Sequence, residues 1–165
     1  MSKIIPTKDA LELASENYKE YSVYVASGRA YPCLVDGAKS VQKRITYGMY
    51  KSAPRHIVKI SELAATGLKY HPHPSSISGV IVSLGDNSNK LSFMDKQGNW
   101  GNKAKGIEAS ADRYIGGKLS DLAIELLCDS IEYCPMMTGE LDYEEPIVVS
   151  YLVYKWNERY PCRSS

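Results

Sequence analysis

The sequence predicts an α+β fold, with helices first and strands after them. Three observations carry that expectation. Helical periodicity dominates the chain as far as Leu84 and returns at residues 118–132. Strand-like patterning is confined to KLSFMDKQ and to the stretch after Pro135. Glycine and proline mark the joints between these segments. With 165 residues, 44% hydrophobic and 24% charged, the chain suits one globular domain with a real core.

Thr7 has N-cap chemistry, so the longest helix should begin there, run through DALELASENYKEYSVYVAS and stop at Gly28. Its apolar positions Leu11, Leu13, Ala14, Tyr18, Tyr21 and Val25 form a rough helical stripe. A loop, RAYPCLVDGAK, is marked by Pro32 and Gly37, and a basic helix, SVQKRITYGMYK, starts at or near Ser40. A third helix is expected over about 56–66, HIVKISELAAT, ended by Gly67. After the turn LKYHPHP, a short helix runs from Ser75 or Ser76 to about Leu84. Helix, tight turn, helix, behind a basic helix, is the outline of a helix-turn-helix.

KLSFMDKQGNWGN then reads as a strand entering a Gln/Gly/Asn loop. Residues 118–132 form an amphipathic helix with Leu119, Leu122, Ala123, Leu126, Leu127 and Ile131 on one face. TGELDYEEP and a β-like IVVSYLVY follow. This order predicts a winged helix (CAP-like) with a long N-terminal helix. It should occupy residues 1–145, with 146–165 a divergent or truncated C-terminal tail.

Other classes are set aside by composition. No apolar run approaches the ~18–20 residues of a membrane span. MSKIIPTKDA has no hydrophobic signal region, so a cytoplasmic protein is expected, in the bacterial host cytoplasm if the chain is phage-encoded. Cys33, Cys128, Cys134 and Cys162 lack CxxC spacing, which argues against zinc and for reduced thiols. The net charge of +1 hides an asymmetry: residues 1–60 hold ten Lys and Arg against five acids, and residues 111–145 hold two against nine. Either a basic face meets a polyanion or two surfaces are differently solvated, and charge does not choose between them.

Four stretches can carry chemistry. YHPHP, residues 70–74, projects His71 and His73 from a proline-fixed turn before a helix N-terminus, where a phosphate or a plain turn both fit. No cysteine or carboxylate lies within five residues of the pair, so no metal site is expected there. GRAYPCLVDGAKSVQKR offers Arg29, Lys39, Lys43 and Arg44 to a phosphate backbone or to solvent. QGNWGN reads as a surface turn in which Gly98 and Gly101 permit close backbone approach. ADRYIGG sets Tyr114 between Arg113 and a glycine pair, a phenol that either packs or acts as a nucleophile.

The order of these four motifs resembles the breakage-reunion subunit of type IIA DNA topoisomerases: gyrase A, topoisomerase IV and their phage counterparts. YSVYVASGRAYPCLVDGAKSVQKRITYGM is similar to that family's GRAxPxxxDGxKPVxRRIxYxM segment. KYHPH, MDKQGNWGN and ADRYIGGKLS resemble its histidine turn, its DGQGNFG loop and its tyrosine segment. The likeness covers roughly residues 20–133, and the Ile115 that follows Tyr114 reads as phage-like. Departures are Ile115-Gly116-Gly117-Lys118 in place of a Glu-Ala-Arg type continuation, Pro74 for a glycine, Ser40 for a proline and Val80 for an acid.

The resemblance implies that Tyr114 attacks a DNA phosphodiester, that Arg113 and His73 serve the reaction, and that the glycine pair lets this segment lie close to DNA. It puts Arg29, Lys39, Lys43, Arg44, His71, Ser76, Gln97, Gly98 and Asn99 on double-stranded DNA, with Tyr114 on the wing side near His73 and Arg44. No carboxylate cluster for Mg²⁺ and no ATP motif appears, so both are expected only through a toprim- and ATPase-containing partner subunit. Self-association should be weak, and the sequence should be a truncated gene product, a split-gene piece or an isolated domain. The rival readings are a non-catalytic winged-helix DNA-binding module and an interaction protein that docks on a topoisomerase.

Overall fold

In the computed structural model, which describes residues 10–52, 55–86 and 93–149, the first helix, α1, spans Ala10–Val25. It passes into a π-helical turn, Ala26–Ala30, rather than stopping at Gly28, and Tyr31 N–H closes that turn on Ala26 O at 3.0 Å. Thr7 and residues 150–165 lie outside the described residues. The stripe expected to bury α1 is largely exposed: Leu11, Leu13, Tyr18 and Tyr21 face solvent, as do Val23 and Tyr24.

The basic helix α2, Ser40–Ser52, buries Ile45 and Met49 completely. It lies close against α3, Ile60–Gly67, because Gly48 has no side chain: a Cβ there would stand 3.0 Å from Thr66 O. α4, Pro74–Leu84, opens with proline at its first position, where the missing N–H costs nothing, and buries Ile77 and Ile81 against the same core.

Two expectations need correction, and both for one reason. The third helix begins at Ile60 rather than near residue 56, because Val58–Lys59 form a strand, β1. The helix expected from Lys118 begins at Asp121, as α5, Asp121–Ile131, because Gly116–Leu119 form strand β3. β1 and β3 pair antiparallel with Val58 opposite Gly117, and β2, Met94–Gln97, pairs with the other edge of β3 with Met94 opposite Leu119. The sheet order is therefore β1-β3-β2. Long-range pairing has overridden local helical pattern. Ser120 then caps α5, its Oγ accepting from Ala123 N–H at 3.3 Å, while Ala123 and Leu127 enter the core.

A hairpin of β4, Met136–Thr138, and β5, Glu144–Pro146, follows. Its tip is closed by Gly139 N–H on Tyr143 O at 2.9 Å and seats Tyr143 against the Tyr70 ring at 5.9 Å. Helices α2 to α4, the sheet and α5 share one core of mixed helix and strand: Ile45, Met49, Leu63, Ile81, Phe93 and Ile115 are its centre.

Candidate nucleic-acid interface

Tyr114 sits on a turn whose root is fixed and whose ring is free. Its N–H closes on Ala111 O at 2.8 Å, and the next residue, Ile115, is buried and accepts from Ile60 N–H at 3.1 Å. The phenol itself is 66% exposed, and the Arg113 guanidinium lies 5.0 Å from its ring centroid, a cation–π contact. Asp112 ties the turn to α4 by accepting from Ser78 Oγ at 2.9 Å.

The glycine pair that follows is required for packing inside the fold. Gly116 and Gly117 are buried inside β3. A Cβ on Gly117 would stand 2.7 Å from the Trp100 ring, and one on Gly116 would stand 2.9 Å from Ile57. Trp100 also lies over Gly85 and donates Nε1–H to Gly116 O at 3.1 Å. The pair makes room for an indole and a neighbouring strand.

Gln97, Gly98 and Asn99 form an exposed turn at the end of β2. Gly98 takes φ +90° and Gly101 φ +75°, conformations that disfavour side chains, and Asn99 Oδ1 accepts from Gly101 N–H at 3.0 Å. A Cβ on Gly98 would lie 3.3 Å from Tyr114 O, so this loop abuts the tyrosine segment.

A second group gathers where α1, α2 and the histidine turn meet. Arg29, Lys39, Arg44, His71, His73 and Ser76 line a cleft of about 660 Å³, together with Tyr21, Tyr24 and Glu140. Arg113 and Tyr114 are not among the residues that line it. α4 links the two groups, with Ser76 in the cleft and Ser78 on Asp112.

The basic residues of α2 are not the open face that composition predicts. Arg44 is buried and forks onto Glu145, Nε to Oε2 at 2.7 Å and Nη2 to Oε1 at 3.0 Å, with Nη1 on Glu140 at 3.2 Å. Burial pulls the Arg44 pKa down, but the two carboxylates outweigh it and the net direction is up. Lys43 is buried against Asp36, 3.2 Å away, and donates to Ile147 O. Asp36 in turn accepts from Ala38 N–H at 2.9 Å and Val149 N–H at 3.1 Å. Both cations tie α2 to the C-terminal hairpin and its continuation. Arg29 and Lys39 are exposed.

His71 is buried, with Nε2 at 3.1 Å from Ser76 Oγ. Ser76 gives its own proton to His73 O at 3.1 Å, so the shared hydrogen belongs to Nε2, and Nδ1 is an acceptor. Nδ1 is buried without a partner. Burial, then Arg44 and His73, push the His71 pKa below its ordinary value. His73 is exposed at the α4 N-cap. Among the described residues, no three His, Cys, Asp or Glu gather as a metal site, and no helix is long and apolar enough to cross a membrane.

Sequence reasoning missed Asp36, Glu145, Trp100 and Asp112. The Asp-Gly step at residues 36–37 read only as a turn, and nothing local marks Glu145 as a partner 101 residues from Arg44.

The molecule is thus an α+β domain with an exposed Arg-Tyr turn and a cationic cleft, both of which α4 contacts. Residues 29–148 match the family of the DNA gyrase/topoisomerase IV A subunits, and the chain belongs to that family. It is 38% identical over 120 residues to the DNA topoisomerase 4 A subunit of Borreliella burgdorferi, covering 72% of this chain and 19% of that protein. Over 145 residues it is 39% identical to the DNA topoisomerase 4 A subunit of Mycoplasma pneumoniae, covering 83% and 18%. With the DNA gyrase A subunit of Clostridium acetobutylicum it shares 31% identity over 157 residues, covering 89% and 18%. The chain spans less than a fifth of the length of these relatives.

Proposed function

We propose that the chain is a DNA-cleavage domain of a type IIA topoisomerase of phage type, in which Tyr114 is the nucleophile. The observation that carries this is an exposed phenol on an anchored turn, with a guanidinium against its ring. In this reading α3, α4 and the three-stranded sheet act as a winged helix, in a domain that extends past residue 145 to Val149, which is buried in the core. The Tyr114 oxygen attacks phosphorus and forms a P–O bond. The bond to the 3′ oxygen breaks, and the phenol proton is passed on so that a 3′-hydroxyl leaves. The phosphotyrosyl ester keeps the strand ready for resealing without an external energy source. Arg113 offsets charge that builds on the phosphoryl oxygens.

Arg29, Lys39, His73 and the Gln97–Asn99 turn serve duplex DNA, and Ser76 and His71 support the cleft behind them. Mg²⁺ and ATP belong to a toprim- and ATPase-bearing partner subunit, which the reaction requires in the host cytoplasm, and self-association is weak. A second reading is a DNA-binding module that does not cleave, supported by the exposed cations Arg29 and Lys39 of the cleft.

The two are told apart by adding a cognate toprim subunit, Mg²⁺ and duplex DNA. Cleavage is expected with the native chain and lost in Tyr114→Phe, with duplex affinity unchanged. A Tyr114→Phe protein that still cleaves refutes the assignment, and a native chain that binds without cleaving selects the binding module.

A further inference from the structure

The cleft contains more than a phosphate cradle. Tyr21 and Tyr24 lie three residues apart on α1, so they share a face, and both line the cleft while 64% and 58% exposed. Arg29 follows on the π-helical turn, and Lys39 immediately precedes α2. A cleft of 660 Å³ falls within the range of about 300–1,000 Å³ typical of sites for small organic groups.

Duplex DNA explains the cations but not the rings. In B-form DNA the bases are stacked inside, and a protein approaching the backbone meets phosphate and sugar. Aromatic side chains engage bases that have left the stack, and cations beside them track the backbone. A partner protein would use the tyrosines but would have to bring acids of its own to match Arg29 and Lys39, whereas a nucleotide carries ring and charge together. Glu140, the acid on the wall, shares Arg44 with Glu145, so the three groups together leave one negative charge against the two exposed cations.

We infer that this cleft holds an unpaired nucleotide, its base against Tyr21 and Tyr24 and its phosphate on Arg29 and Lys39. The inference rests on the reading that the chain works on DNA, and it gives Arg29 and Lys39, which that reading sets on duplex, a second ligand in the form of a single-stranded segment. The site is sequence-tolerant, because every base presents a π face.

The test compares two labelled four-residue oligomers titrated into the full chain: oligothymidylate and an abasic oligomer with the same number of phosphates. Oligothymidylate is expected to bind at least tenfold more tightly, in line with stacking of one base. Tyr21→Phe with Tyr24→Phe keeps that ratio, since the rings remain. Tyr21→Ala with Tyr24→Ala brings oligothymidylate down to the abasic value, with an unchanged melting temperature because both rings are exposed. Equal binding of the two oligomers while duplex binding persists overturns the inference and leaves the cleavage reading standing. Loss of the ratio in the phenylalanine pair also overturns it, since hydroxyl contacts would then be responsible. Absence of binding to oligomers and duplex alike overturns both.

Discussion

Two pairs of cations in this chain look equivalent in sequence and differ in the fold. Lys43 and Arg44 are buried and committed to Asp36, Glu140 and Glu145, whereas Arg29 and Lys39 are exposed along the cleft. The first pair joins α2 to the acidic C-terminal hairpin, and the second is left for a ligand. A basic helix is therefore not a basic surface. The excess positive charge of the first 60 residues is partly answered inside the molecule by the excess negative charge of residues 111–145.

The comparison breaks most visibly at Arg44. Arg44→Ala leaves Glu145 buried without its partner, and breaking such a pair typically costs about 3–5 kcal/mol. Urea unfolding should show a loss of that size; a loss under about 1 kcal/mol, the range of surface pairs, would mean that the pair is not internal. A smaller effect is expected at the glycine pair. Gly117→Ala pushes a methyl against Trp100 and should cost about 1–3 kcal/mol, with duplex affinity unchanged in the folded protein. Weaker binding at unchanged stability would return Gly117 to the DNA.

The exposed pair should behave in the opposite way. Arg29→Ala and Lys39→Ala should each leave stability within about 0.5 kcal/mol while lowering duplex affinity and reducing the salt slope by about one unit. A salt slope that both substitutions leave intact would remove these residues from the phosphate contacts.

The smallest effect is the pH dependence from His71. Its folded pKa lies below 6.5, so the unfolded state takes up the proton first as pH falls. The stability associated with neutral His71 is complete above pH 6.5 and is lost as pH falls from there toward the folded value. His71→Gln should flatten that part of a stability–pH curve. An identical slope in the variant would assign the dependence to another group.

What was legible in the sequence follows from the range of the forces involved. α2, α4 and β2 were visible because capping, proline placement and side-chain periodicity are local. The order of motifs points to the same family that residues 29–148 match. β1 was hidden because the Ile-Val pair of HIVK is too short to mark a strand by itself, and it pairs with Gly116 and Gly117 from far along the chain. Trp100 looked like a loop residue, yet it fills the space that glycines at 85 and 117 leave open. Candidate residues could be named singly, but their division into a cleft and a tyrosine turn could not, since it depends on how α4 meets the 111–114 turn.

One tyrosine among thirteen, the exposed Tyr114, is proposed to form the covalent link to DNA. The direct measurement is peptide mapping of the protein–DNA adduct trapped by detergent after incubation with duplex, Mg²⁺ and a cognate toprim subunit. The expected result is a nucleotide-modified peptide containing Arg113-Tyr114, with the tyrosine joined to a 5′ phosphate. A modified peptide containing any other tyrosine, or a trapped 3′ linkage, would contradict it.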